Sequence, residues 1–157
     1  MIRELEESTR KRLTERIIGI PIESFPNNPT EYRLLHPSAA VLVRYAGSNF
    51  TPSLSPNIII QDRTIDFDIT IIARSLTDNR GVYELIESIR VALTGFIPDG
   101  CTKMYPKKDE FVNENEGIWQ YSMIFSTTRR VSEIEMQHHI IETDESNRYK
   151  DDINILD

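Results

Sequence analysis

The segment at residues 65–74 constrains the fold of this chain most, because its side chains alternate between an apolar and a mostly polar set. Successive side chains of a β-strand point to opposite faces of the sheet. The alternation therefore predicts a strand with one face in a core and the other in water, as in antiparallel sheets. The buried face would carry Ile65, Phe67, Ile69, Ile71 and Ala73, and the wet face Asp66, Asp68, Thr70, Ile72 and Arg74.

Further segments have the periodicity of strands or helices. We predict strands at 39–45, 58–75, 103–105 and 118–128, and helices at 2–16 and 80–94. The second helix has apolar residues at the spacing of a helix that packs on a sheet. The order of helix, strands, helix and strands indicates an α+β fold, a mostly antiparallel twisted sheet with about two helices packed on one face. The apolar stripe of the second helix is Val82, Leu85, Ile86, Ile89, Ala92 and Leu93.

Other segments are predicted to lie outside these elements. Residues 47–57 are rich in Gly, Ser and Pro and predict a loop or a projecting hairpin. Residues 107–117, KKDEFVNENEG, predict a charged loop. Thr77, Asp78 or Asn79 is expected to cap the start of the second helix, and Gly95 is expected to end it in a left-handed conformation.

The net charge of −7 is concentrated at one end of the chain. Residues 131–157 contain eight acidic and two basic residues, whereas acids and bases nearly balance elsewhere. We predict one domain at 1–130 and an acidic C-terminal tail or arm at 131–157, which either stays solvated or orders on a neighbouring subunit. The sequence has neither the basic stripe of a nucleic-acid-binding protein nor the roughly 20 apolar residues of a membrane span. We therefore expect a cytoplasmic product without a membrane partner or direct sequence-specific nucleic-acid binding.

Asp66 and Asp68 are the strongest candidates for chemistry, because two carboxylates on one strand face can hold Mg²⁺. The further acid and lysine of a metal-dependent nuclease do not follow them, so we expect pairing with Arg44, Arg63 or Arg74 instead. Cys101 is the one cysteine and is expected to fill space. The sequence contains no nucleotide, zinc or hydrolase motif, and we predict neither enzyme activity nor a cofactor.

Five segments resemble, in order and spacing, the tail-terminator (tail-completion) proteins of Mu-like contractile-tailed phages. They are EYRLLHPSAAVLVRYAGS at 31–48, ARS at 73–75, ALTGF at 92–96, GC-K-YP at 100–106 and GIWQY at 117–121. The resemblance implies the same fold and a homo-oligomeric ring, expected to be a hexamer, at the head-proximal end of the virion tail. Such a ring caps the tail tube, stops polymerisation of tube and sheath, and offers the surface for head docking. The implied partners are the tail tube protein, the sheath protein and the head-completion or connector proteins.

The residues that we expect at subunit or tube interfaces are mainly aromatic, arginine and loop positions. Tyr and Arg are enriched in interface hot spots, and long loops on rigid sheets often carry function. The alternatives are a head-completion or neck adaptor protein, a small metal-dependent phage nuclease, and a host adaptor domain that uses the acidic tail. The interface candidates are Tyr32, Arg33, Arg44, Tyr45, Gly47, Ser48, Asn49, Phe50, Asp66, Asp68 and Arg74.

Overall fold

A computed structural model describes residues 1–134 of the chain. In chain order they form α1 (Ile2–Arg16), β1 (Ile22–Ser24), a 3₁₀ turn (Pro29–Glu31), β2 (Ala39–Phe50), β3 (Ile60–Ala73), α2 (Val82–Leu93), β4 (Tyr105–Asn115) and β5 (Ile118–Ser132). Two compact units share these elements, the body (Met1–Asn49 with Thr64–Arg129) and the hairpin unit, of which residues 50–63 and 130–134 are described. The predicted acidic tail lies outside the described residues from position 135 onward, so its boundary and its role stay predictions.

The strands form one five-stranded sheet in the order β1-β2-β3-β5-β4. β4 and β5 are antiparallel, whereas β1 runs parallel to β2. The sheet is therefore mixed, and with its two helices it confirms the predicted α+β fold. No helix among residues 1–134 is both long and apolar enough to cross a bilayer.

The apolar face of β3 is the centre of the core of the body. All five of its predicted core residues, from Ile65 to Ala73, are fully buried. Both helices pack on this same face, because their apolar stripes join the same cluster as β3. This placement confirms the amphipathic patterns of the two helices. The helical members of the cluster are Leu5, Leu13, Val82, Leu85, Ile89, Ala92 and Leu93.

The opposite face of β3 is not simply wet, as the alternation predicted. Asp68 and Thr70 on this face are only 6% and 2% exposed, and Leu42 of the neighbouring β2 is 1% exposed. The segment at 25–34 lines the same groove as Leu42 and Ile72, so it lies over this face. The prediction was wrong here because the cover is a non-regular segment that is distant in sequence.

α2 begins two residues later than predicted and without a side-chain cap. Gly81 occupies the N-cap position, and neither Thr77, Asp78 nor Asn79 caps the helix. A Cβ atom at Gly81 would lie 2.8 Å from the carbonyl oxygen of Asp78, so the tight turn before α2 requires glycine. The predicted end of the helix is confirmed, since Gly95 follows it with a φ of 83°.

The two segments predicted as a loop or hairpin and as a charged loop are each partly strand. β2 continues through Gly47 to Phe50, so only the second part of the predicted 47–57 loop is a turn. The charged segment at 107–117 is mostly β4, followed by the two-residue turn Glu116-Gly117, in which both residues have positive φ. That conformation matches the twist of a tight β-hairpin. The strand was missed because all eleven residues of β4 are exposed, so no buried face imposes an alternation.

Candidate interaction surfaces

Asp68 is the centre of a polar cluster on the sheet face opposite the helices. Arg44 Nη2 donates to Asp68 Oδ2 at 2.9 Å. Ser122 Oγ and Thr70 Oγ1 both donate to Asp68 Oδ1, at 2.8 and 3.1 Å. The Arg44 guanidinium also lies over the ring of Phe25, 5.1 Å from its centroid. Arg44 is one of the predicted partners, and these two interface candidates hold each other within one chain.

We expect Asp68→Asn to lower the free energy of unfolding by about 1–3 kcal/mol, because the neutral amide has one acceptor oxygen in place of two and weakens the charge-assisted bond from Arg44. The Arg44 side chain is 50% exposed, so water limits the cost of its unpaired charge. Urea unfolding monitored by circular dichroism measures the loss. The matched control is Asp62→Asn, because Asp62 pairs with the 67% exposed Arg130. Equal losses in the two variants would contradict a structural role for Asp68.

Asp66 is also held by groups of its own chain. Lys107 Nζ lies 3.3 Å from Asp66 Oδ2, and the Ser126 hydroxyl donates to Asp66 Oδ1. Sequence analysis missed Lys107 as a partner because it was placed in a loop. Within residues 1–134, no group of three or more His, Cys, Asp or Glu side chains is arranged to hold a metal ion.

Tyr32 and Arg33 line a groove of about 380 Å³ on the face that the segment at 25–34 covers. Burial raises the pKa of the Tyr32 hydroxyl, and the nearby Glu23 carboxylate adds to the rise. Arg74 anchors the end of this segment, since its guanidinium donates to the carbonyl oxygens of Leu34, which lines the groove, and His36, at 3.0 and 3.3 Å. Tyr32 and Arg33 therefore lie at the surface of a groove, whereas Arg74 is engaged by backbone.

The candidates on β2 differ in their accessibility. The ring of Tyr45 meets Phe67 edge to face, with centroids 6.3 Å apart, and its hydroxyl lies 2.7 Å from Ser48 Oγ. Tyr45 is therefore partly a core residue. Gly47 has a φ of 145° and open space where a Cβ would lie. Asn49 is exposed.

The hairpin unit is an ordered structure and not a bare loop. Thr51 N–H donates to the Asp62 carbonyl oxygen at 3.0 Å, and Leu54 N–H donates to the Ile60 carbonyl oxygen at 2.7 Å. Ile59 and Glu133 exchange two bonds: Glu133 N–H to the Ile59 carbonyl oxygen and Ile59 N–H to Glu133 Oε1, both at 3.1 Å. These bonds tie the turn to the end of β5.

The described part of the same unit exposes four large apolar side chains. Phe50, Leu54, Ile59 and Ile134 are each 50–54% exposed. The Arg63 guanidinium lies over the Phe50 ring at 5.1 Å. Exposed large apolar side chains are candidates for an interaction site, so Phe50 and the turn that follows it fit a contact with another chain.

β4 is a surface that the sequence analysis missed. It forms one edge of the sheet and is exposed along its whole length. Phe111 of β4 makes edge-to-face contacts with Trp119 and Tyr121 of β5, with centroid distances of 6.2 and 5.6 Å. Phe111 is nevertheless 54% exposed. An exposed aromatic residue beside an open strand edge has the composition of a protein contact.

Cys101 is half-buried, and burial raises the pKa of its thiol against the opposing charge of Arg129. A raised pKa keeps the thiol protonated at neutral pH, which disfavours nucleophilic reaction. This environment agrees with the predicted space-filling role.

The mixed sheet with both helices on one face is shared with a protein of known structure. A chain of the virion of a native gene transfer agent particle has the same fold, with a TM-score of 0.53 and 10% sequence identity over 83% of this chain and 97% of that chain. The sequence model of the Gp37 protein family matches residues 10–143, and the chain belongs to this family. No curated protein matches the chain in sequence.

Proposed function

We propose that this chain is a structural protein of a phage-type virion. The observation that carries the proposal is the fold shared with a chain of a gene transfer agent virion, because the match covers 97% of that chain. The surfaces of the body and of the hairpin unit support a role in contacts. Asp66 and Asp68 are both engaged by donors of their own chain, and the proposed role needs no bond chemistry and no cofactor.

Within that class, we propose the role of a tail terminator. The support is the resemblance of five ordered segments, between residues 22 and 128, to the tail-terminator proteins of Mu-like contractile-tailed phages. In this role a ring of copies, expected to be a hexamer, sits on the last ring of the tail tube. It stops polymerisation of tube and sheath and presents the surface to which the head-completion or connector proteins of the filled head bind.

The sheet topology suits a ring. β4 forms one edge of the sheet, and β1 with the part of β2 that continues beyond it forms the other. A contact between unlike edges of neighbouring copies is head-to-tail, and such contacts close into a ring when the rotation permits. Strand edges recruit further strands through their backbone groups. We propose that this joint and the exposed apolar residues of the hairpin unit together link neighbouring copies.

Particles made without this chain are expected to have tails that are too long or variable in length, because nothing caps the growing tube. Negative-stain electron microscopy of particles made with and without the gene measures the length distribution. Supplying the gene from a plasmid is the control and should restore uniform tails. Tails of normal, uniform length that fail to join heads would contradict termination and assign the chain to head completion.

A further inference from the structure

The part of the chain that leads from β2 into the hairpin unit differs in composition from the rest. Residues 45–61 contain no charged side chain, and they form the longest such run in a sequence that is 27% charged. The run covers the part of β2 beyond β1 and the whole turn between β2 and β3. Because charged residues are depleted in the buried cores of protein interfaces, this composition indicates a surface that another chain covers.

The direction of the strands alternates from β2 to β4. β2 and β3 are neighbours joined by a short turn, a connection that antiparallel strands allow and parallel strands do not. β3 and β5 are also antiparallel, because their side-chain bonds join Asp68 to Ser122 and Asp66 to Ser126. Since β4 is antiparallel to β5, β4 and β2 run in opposite directions.

Ring symmetry carries this direction over to the neighbouring copy. In the proposed hexamer, a rotation of about 60° relates one copy to the next. The β2 strand of the next copy therefore points within about 60° of β2 in the first copy, and so runs nearly opposite to β4. Neighbouring strands of a sheet differ in direction by only about 20–25°. A joint between β4 and the next β2 is therefore antiparallel and not parallel.

β1 limits the part of β2 that β4 can reach. The Phe25 N–H donates to the Val43 carbonyl oxygen at 2.9 Å, so β1 and the residue after it occupy the outer edge of β2 up to Val43. The end of β4, at Asn115, must lie beyond that point, opposite about Ala46 of the next copy. The rest of β4 then follows the strand toward Phe50, and its first residues lie beside the turn that comes after Phe50 in the chain.

Exposed apolar side chains are present on both sides of this contact. Ile97 and Tyr105 are 56% and 45% exposed. They belong to one site at the start of β4, because the residues directly before them are joined by a backbone bond of 2.7 Å. In the turn of the next copy, Leu54 and Ile59 are 54% and 50% exposed. All four side chains have apolar surface left to bury.

We propose that neighbouring copies join by antiparallel pairing of β4 with the part of β2 beyond β1, and that the turn of one copy covers Ile97 and Tyr105 of the other. The partner is a second copy of this chain, and the inference rests on the proposed ring. It adds to that ring the strand direction, the register and the surface that receives the turn.

Cross-linking of particles assembled with a mixture of two full-length chains tests this joint. Every chain carries Cys101→Ser. One chain has Ala46→Cys or Asn57→Cys, and the other has Tyr105→Cys or Asn115→Cys. A short bismaleimide joins cysteines that lie close together, and peptide mass spectrometry identifies the linked positions. We expect links of 46 with 115 and of 57 with 105, well in excess of the crossed pairs 46 with 105 and 57 with 115.

Adding Leu54→Asp to the chain that has Asn57→Cys is expected to lower its linkage to position 105 about tenfold, because the joint would bury an unpaired carboxylate. Tyr83→Asp is the matched control, since Tyr83 is 52% exposed on α2 and lies outside the joint. Particles with uniform tails that yield the crossed pairs, or neither kind of link, would overturn the proposed joint. Either result would leave tail termination intact, because tail length is measured separately in the same particles.

Discussion

A chain in which Asn-Gly replaces residues 51–59 is expected to keep its body folded but to form no ring. None of the buried core residues of the body lies within residues 50–63, so the core should survive the deletion. The deletion removes the half-exposed Leu54 and Ile59. Full burial of one such side chain contributes about 1.5–3 kcal/mol, and about half of that remains to be gained by a half-exposed one, so losing two anchors weakens each joint roughly ten- to a hundredfold.

Sedimentation velocity of the purified chain and electron microscopy of complemented particles measure ring formation, while circular dichroism checks the fold. Leu54→Ser combined with Ile59→Ser should reproduce the defect without altering the backbone. Tyr83→Ser is the matched control, since Tyr83 is 52% exposed on α2 and lies outside the hairpin unit. Intact rings and uniform tails after the replacement of 51–59 would refute the assembly role of this unit.

Phe67→Ala is expected to lower the free energy of unfolding by about 3–5 kcal/mol, which is a large part of the stability of a domain of this size. Phe67 is fully buried near the middle of β3, in the core cluster to which residues of both helices belong, and meets Tyr45 edge to face. Truncation to alanine removes the contacts of the ring with the core cluster and with Tyr45. It also leaves a cavity that the surrounding strands cannot fill. Urea unfolding followed by circular dichroism measures the change.

Two variants bracket this prediction. Phe67→Leu keeps most of the volume and should cost about 1.5 kcal/mol or less if the core repacks. Tyr83→Ala removes an exposed ring and should change stability by about 0.5 kcal/mol or less. If Phe67→Ala were no more destabilising than Tyr83→Ala, the position of β3 at the centre of the core would be wrong.

The elements that could be predicted are those with one buried face. β3 and the two helices repeat apolar residues at the period of their own backbone, and every predicted core residue of β3 is buried. β4 has no buried face, so its charged residues follow no period, and it was mistaken for a loop. β1 is only three residues long, which is too short for any period to appear.

The contacts of the candidate residues were likewise predicted only in part. The sequence named Arg44, Arg63 and Arg74 as possible partners of the two aspartates, and distance in the fold selected Arg44 for Asp68. It did not name Lys107 for Asp66, nor Phe111 beside Trp119 and Tyr121. Those neighbours depend on strand order, in which β5 lies between β3 and β4.

The sequence alone determined the α+β class, the core face of β3 and the helices that pack on it. Hydrophobic periodicity is a local property, and burial of a periodic face is the main term that stabilises the fold. Only the tertiary structure decided that the second sheet face is partly covered, that Asp68 is buried, and that the hairpin unit and β4 present exposed apolar and aromatic side chains. These features depend on segments that are far apart in the chain, and no local pattern records which of them will meet.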